Sequence, residues 1–146
     1  YAVMNLGIFG CIFLMKKDGK YTEEINDLSG ISTKHPLISI SFLIILFSLA
    51  GIPPLGGFFA KFYVFMSVVE SEMYTLAIIG LLTTVISAFY YLKIIKIIYF
   101  DEIVKPFDEN KNFSISGTIF ISCFFLVTFF LYPSIFNDLI FTAVSQ

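Results

Sequence analysis

One lysine stands out by its surroundings. Between residues 37 and 69 the single charged side chain is Lys61, at the end of the run LGGFFAK (residues 55–61). It lies nine residues before Glu70, about 13 Å along a helix, and so near mid-depth of a bilayer whose hydrocarbon core is about 30 Å thick. Snorkelling covers only part of that distance. An ammonium there is costly unless it meets water, a carboxylate or peptide carbonyls, and an amine kept from bulk water gives up its proton more readily. The chemistry to expect of Lys61 is proton or ion handling. The structural alternative is a static ion pair with an acidic group elsewhere.

The surrounding run is SLAGIPPLGGFFAKFYVF (residues 48–65). An unbroken helix over residues 37–69 would reach roughly 50 Å, more than a bilayer needs. Pro53 and Pro54 supply no N–H and their rings clash with a preceding turn, while Gly56 and Gly57 tolerate unusual dihedrals. A helix break is therefore expected at about residues 52–57. Broken backbone at membrane depth survives where it lines a cavity or is buried in protein.

Composition says what kind of molecule holds this feature. Of 146 residues, 58% are hydrophobic and only 14% charged, against about a quarter charged in ordinary soluble domains. Mean hydropathy is +0.89. The fold class expected is all-α, a polytopic transmembrane helical bundle with one broken helix. Cys11 and Cys123 sit in apolar segments without metal or disulfide spacing and read as small hydrophobes. A net charge of −2, with lysines in loops and at helix ends, gives no basic groove for nucleic acid.

In chain order, residues 1–15 are the end of a transmembrane helix, as in the C-terminal piece of a longer protein. Residues 16–36 form a polar loop, with Thr22 as a candidate cap for a short turn, and Pro36 opens the next helix. Residues 37–70 are the broken helix, 73–100 a span, 101–112 a charged loop, 113–132 the last span and 133–146 a tail. Both long loops carry lysines, whereas the Glu70–Glu72 turn and the tail carry none. The positive-inside rule then puts both loops in the cytoplasm or its equivalent and the C-terminus on the opposite side.

Other polar residues read more plainly. Lys93 and Lys96 are interface anchors near the end of their helix. His35, beside Pro36, is a candidate proton entrance, set against a solvated interface histidine. Thr83, Thr84 and Ser87 read as helix packing, or as the polar lining of a water path. No Asp or Glu falls within a span, so a carboxylate partner for Lys61 would come from elsewhere.

The 48–65 run, with MNLGIFG (4–10), HPLISI (35–40) and YYLKIIKIIYFDE (90–102), resembles the end of NADH-quinone oxidoreductase subunit N and its mitochondrial counterpart, NADH dehydrogenase subunit 2. The likeness runs over essentially the whole chain, and the 48–65 core is its specific part. Related subunits read differently: in the subunit L type acidic residues follow the lysine, and in subunit M a glutamate tends to replace it. Here Phe62, Tyr63, Val64 and Phe65 follow Lys61.

The resemblance implies an antiporter-like membrane-arm subunit of respiratory complex I, in a bacterial or mitochondrial inner membrane, with the C-terminus on the periplasmic or intermembrane side. Lys61 holds the position of the family's mid-membrane channel lysine, and its role would be proton relay. The implied partners are other membrane-arm subunits, the lipid bilayer and protons, with no nucleic acid. FMN, iron–sulfur clusters and quinone would sit on other subunits. No GxGxxG or cysteine constellation occurs on this chain. Two other readings stand beside it: a subunit of a multisubunit cation/proton antiporter or membrane-bound hydrogenase, and a scaffold span whose lysine is statically paired.

Overall fold

Proline is tolerated at the first position of a helix, where its missing N–H is not needed, and Pro36 starts the helix on which the bundle is centred. The computed structural model describes residues 1–17, 19–21, 24–102, 107, 108 and 112–131. It holds five α-helices among them: α1 (Ala2–Leu14), α2 (Pro36–Ala50), α3 (Gly56–Glu70), α4 (Tyr74–Phe100) and α5 (Phe113–Leu131). The expected break at 52–57 thus falls at 51–55, where the Pro53–Pro54 peptide is cis. The expected tail (133–146) and the loop residues 103–106 and 109–111 lie outside the described residues.

α2 packs against α1, α4 and α5. Its Phe42, Ile45, Leu46 and Leu49 join Cys11 of α1, Ile95 and Ile98 of α4 and Ile119 and Leu126 of α5 in one apolar cluster. Small residues let α1 come close: a Cβ on Gly7 would lie 2.8 Å from Ile45 Cδ1, and one on Gly10 2.9 Å from Ile119 Cγ1. α4 is the described helix long and apolar enough to cross a membrane by itself. Its outer side bears Ile78, Leu82, Val85, Ile86 and Phe89, all more than half exposed, a surface suited to lipid or a neighbouring helix rather than to water.

The departures from an all-helical chain lie in the 16–36 loop. Lys16–Lys17 pairs antiparallel with Lys20–Tyr21, and Ile25–Leu28 and Ile31–Thr33 are 3₁₀ turns. Ile25–Leu28 carries Glu24 at its N-cap position without a side-chain cap bond; Thr22 lies outside the described residues. The two lysine-bearing loops come together at one end of the bundle. The Asp108 amide donates to the Lys16 carbonyl at 2.8 Å, and the Gly19 amide donates to Asp108 Oδ2 at 2.9 Å. At the other end α3 turns into α4 through Glu72, whose φ of 58° is a left-handed conformation uncommon outside glycine.

Candidate functional site

An α-helix leaves its last four carbonyls without helical partners, and in α2 these belong to Phe47, Ser48, Leu49 and Ala50. Gly51 adopts φ 79°, ψ 35°, a left-handed turn that costs glycine nothing. It closes a Schellman motif: the Gly51 amide donates to Ser48 O and the Ile52 amide to Phe47 O, each at 3.0 Å. The remaining two carbonyls are met from α3. Lys61 Nζ donates to Leu49 O at 2.8 Å and to Ala50 O at 3.3 Å. Side chains on a helix lean toward its N-terminus, so a lysine in the second turn of α3 reaches back across the break. The negative end of the α2 dipole favours a cation at that place.

The start of α3 is tied down reciprocally. The Gly57 amide donates to Ser48 Oγ at 3.0 Å, which satisfies one of the orphan N–H groups of α3. Gly56 and Gly57 are helical, not part of the irregular segment that sequence reasoning gave them. Gly57 is required for close approach instead: a Cβ there would collide with the carbonyl group of Ser48. The left-handed glycine of the break is Gly51, and its signal was present as a Gly followed by Ile-Pro at the end of an apolar run. Ser48, fully buried, was likewise missed, since an isolated serine in such a run has no sequence signature.

Beside Lys61 lies a cavity of ≈ 230 Å³ whose walls include Met4, Ser48, Val64, Phe65 and Thr84. An ammonium has three donors. Two are engaged by Leu49 and Ala50, which leaves one for the cavity. A neutral amine keeps two N–H groups for the same carbonyls and turns a lone pair to the cavity in place of the third. Both protonation states fit one side-chain position, and proton loss strands no buried carboxylate.

The structure does not bring His35 to Lys61. His35 stands at the other end of α2, fifteen residues before its last residue, Ala50, and about 22 Å along the helix. It is at the N-cap position without a side-chain cap bond, its ring centroid 6.0 Å from that of Phe107. Its Nε2 is buried and has no hydrogen-bond partner among the described residues. Lys93 and Lys96 are exposed. The hydroxyls of Thr83, Thr84 and Ser87 bond carbonyls of their own helix, the packing geometry, although Thr84 also faces the cavity.

Residues 1–87 match the family model described as NADH:quinone oxidoreductase/Mrp antiporter, TM. The chain belongs to this NADH:quinone oxidoreductase/Mrp antiporter family. Within the family its likeness is to subunit N of NADH-quinone oxidoreductase. The protein of that name from Pelagibacter ubique is 54% identical over 92% of this chain. Those of Parvibaculum lavamentivorans and Rhodospirillum rubrum are 48% and 44% identical over 92% and 94% of it. The chain spans 28% of the length of each of these relatives. The fold is that of a chain in respiratory complex I from Thermus thermophilus with bound aureothin. The TM-score is 0.72 at 22% identity, over 90% of this chain and 31% of that one. The antiporter-type helical membrane bundle expected from the sequence is thus the fold of this family member.

Proposed function

We propose that the chain is part of a proton-translocating subunit N in the membrane arm of a respiratory NADH:quinone oxidoreductase, with Lys61 as a station on its proton path. The observation that carries the reading is the lysine's seat. Its donors are held by two uncharged carbonyls at a helix break, and it faces a cavity in the one stretch of the chain where a membrane charge is otherwise unexplained. Redox energy released on other subunits, which would hold FMN, iron–sulfur clusters and quinone, drives protons on and off the amine. The molecule lies in a bacterial or mitochondrial inner membrane. The joined loops at residues 16–36 and 101–112 face the cytoplasm or matrix, and the C-terminus faces the periplasmic or intermembrane side. Its partners are other membrane-arm subunits and lipid.

A second reading has its own support. The Lys61 bonds complete the carbonyl accounting of α2, so the lysine also suits a purely structural cap. Lys61→Met in the full-length protein, in the assembled complex, separates the two. The relay reading expects assembly with quinone-linked turnover and proton pumping strongly reduced. A complex that assembles and pumps normally would end it, and a complex lost only at assembly would favour the cap.

A further inference from the structure

α3 and α4 run antiparallel through the short turn at residues 71–73, and two contacts set their register. A Cβ on Gly80 would lie 2.7 Å from Phe65 Cε1, so the Phe65 ring sits directly on the bare backbone of α4. One turn further from the connecting turn on each helix, Lys61 and Thr84 line the same cavity. Their depths agree. Thr84 lies ten residues into α4 from Tyr74, about 15 Å, and Lys61 lies nine from the end of α3, about 13 Å.

The Thr84 hydroxyl has a defined polarity. Its hydrogen goes to the Gly80 carbonyl, with Oγ1 2.9 Å from that oxygen, which leaves the hydroxyl lone pairs free to accept. Thr84 differs in this from Ser48, a polar residue of the same lining along with Tyr1, because the Ser48 oxygen already accepts from Gly57. The cavity of ≈ 230 Å³ is walled mostly by apolar side chains, so a water in it would be held at the polar groups, Lys61 and Thr84 among them.

We infer that Thr84 is a positioning residue for proton release from Lys61, holding a water in the shared cavity with one hydrogen toward Thr84 Oγ1 and its oxygen toward Nζ. The inference rests on the relay reading above. In the step it assists, the N–H bond of the ammonium breaks and an O–H bond forms on the water, leaving neutral Lys61. The excess proton leaves along neighbouring water. Phe65, seated over Gly80, forms part of the cavity wall one turn nearer the Glu70–Glu72 turn.

The test compares Thr84→Ser with Thr84→Ala in the assembled complex containing full-length protein, beside Lys61→Met, with Thr84→Val in place of Ala if assembly falls. Both small variants lose the methyl group, and only Ala loses the hydroxyl. Expected are about five-fold slower proton-coupled turnover in Thr84→Ala, the worth of one ordinary hydrogen bond, a larger slowing in D₂O than wild type shows, and recovery of most of the rate in Thr84→Ser. Equal rates and equal D₂O effects in Ser and Ala, with Lys61→Met impaired, overturn the role of Thr84 alone. A normal Lys61→Met overturns the relay and this inference together.

Discussion

The Gly57 amide donates to the Ser48 hydroxyl at 3.0 Å, and the two residues touch with no side chain from position 57 between them. The helix ends therefore lie side by side, with the last turn of α2 against the first turn of α3. This contact sets where Lys61, one turn on from Gly57, meets the terminal carbonyls of α2.

Gly57→Ala should pry the two ends apart, because the new Cβ has the Ser48 carbonyl group in its way and backbone cannot rotate aside as a side chain can. A cost of about 1–3 kcal/mol is expected for such overpacking. Thermal inactivation of the assembled complex should shift down, and Ser48→Ala, which removes only the cap, should shift it less, by about 1 kcal/mol. Gly57→Ala with an unchanged inactivation curve would contradict the close contact.

Gly51→Ala puts a Cβ on a residue at φ 79°, which costs about 1–2 kcal/mol. It also points that atom at Lys61, with Cδ 2.9 Å away. Both stability and turnover are expected to fall. Gly51→Asn tolerates the left-handed turn better, so its stability should recover more than its turnover. Loss of both in equal measure for Asn would show that backbone strain, not displacement of the lysine, is the damage.

Lys61→Arg keeps a cation with donors enough for the Leu49 and Ala50 carbonyls, but a guanidinium does not release its proton at accessible pH. Assembly should be near normal and pumping strongly reduced. Native pumping in the arginine variant, measured in proteoliposomes by a pH-sensitive dye, would show that charge at this site suffices without proton exchange.

Much of the site was legible in the sequence, because its strongest signals are violations. A lone lysine in a run of 33 residues without another charge, and a proline pair inside an apolar helix, break rules that membranes enforce. The break covers 51–55 against the expected 52–57, with Gly56 and Gly57 already in the helix that follows. What could not be read was anything that depends on two segments meeting. Gly57 is helical and yet irreplaceable for a reason that exists only opposite Ser48. Thr84 differs from Thr83 only in facing Lys61 across a cavity, whereas both hydroxyls bond the same Gly80 carbonyl. Nor does local sequence predict that Asp108 would tie the two lysine-bearing loops together.

The bonds from Lys61 to Leu49 and Ala50 have one further consequence. The donor is anchored in α3 and both acceptors in α2, so the lysine spans the seam between the two helices. Any slip of one helix along the other would change those two bonds together with the Gly57–Ser48 contact beside them. The proton station proposed above is therefore also the joint between the two halves of the broken helix.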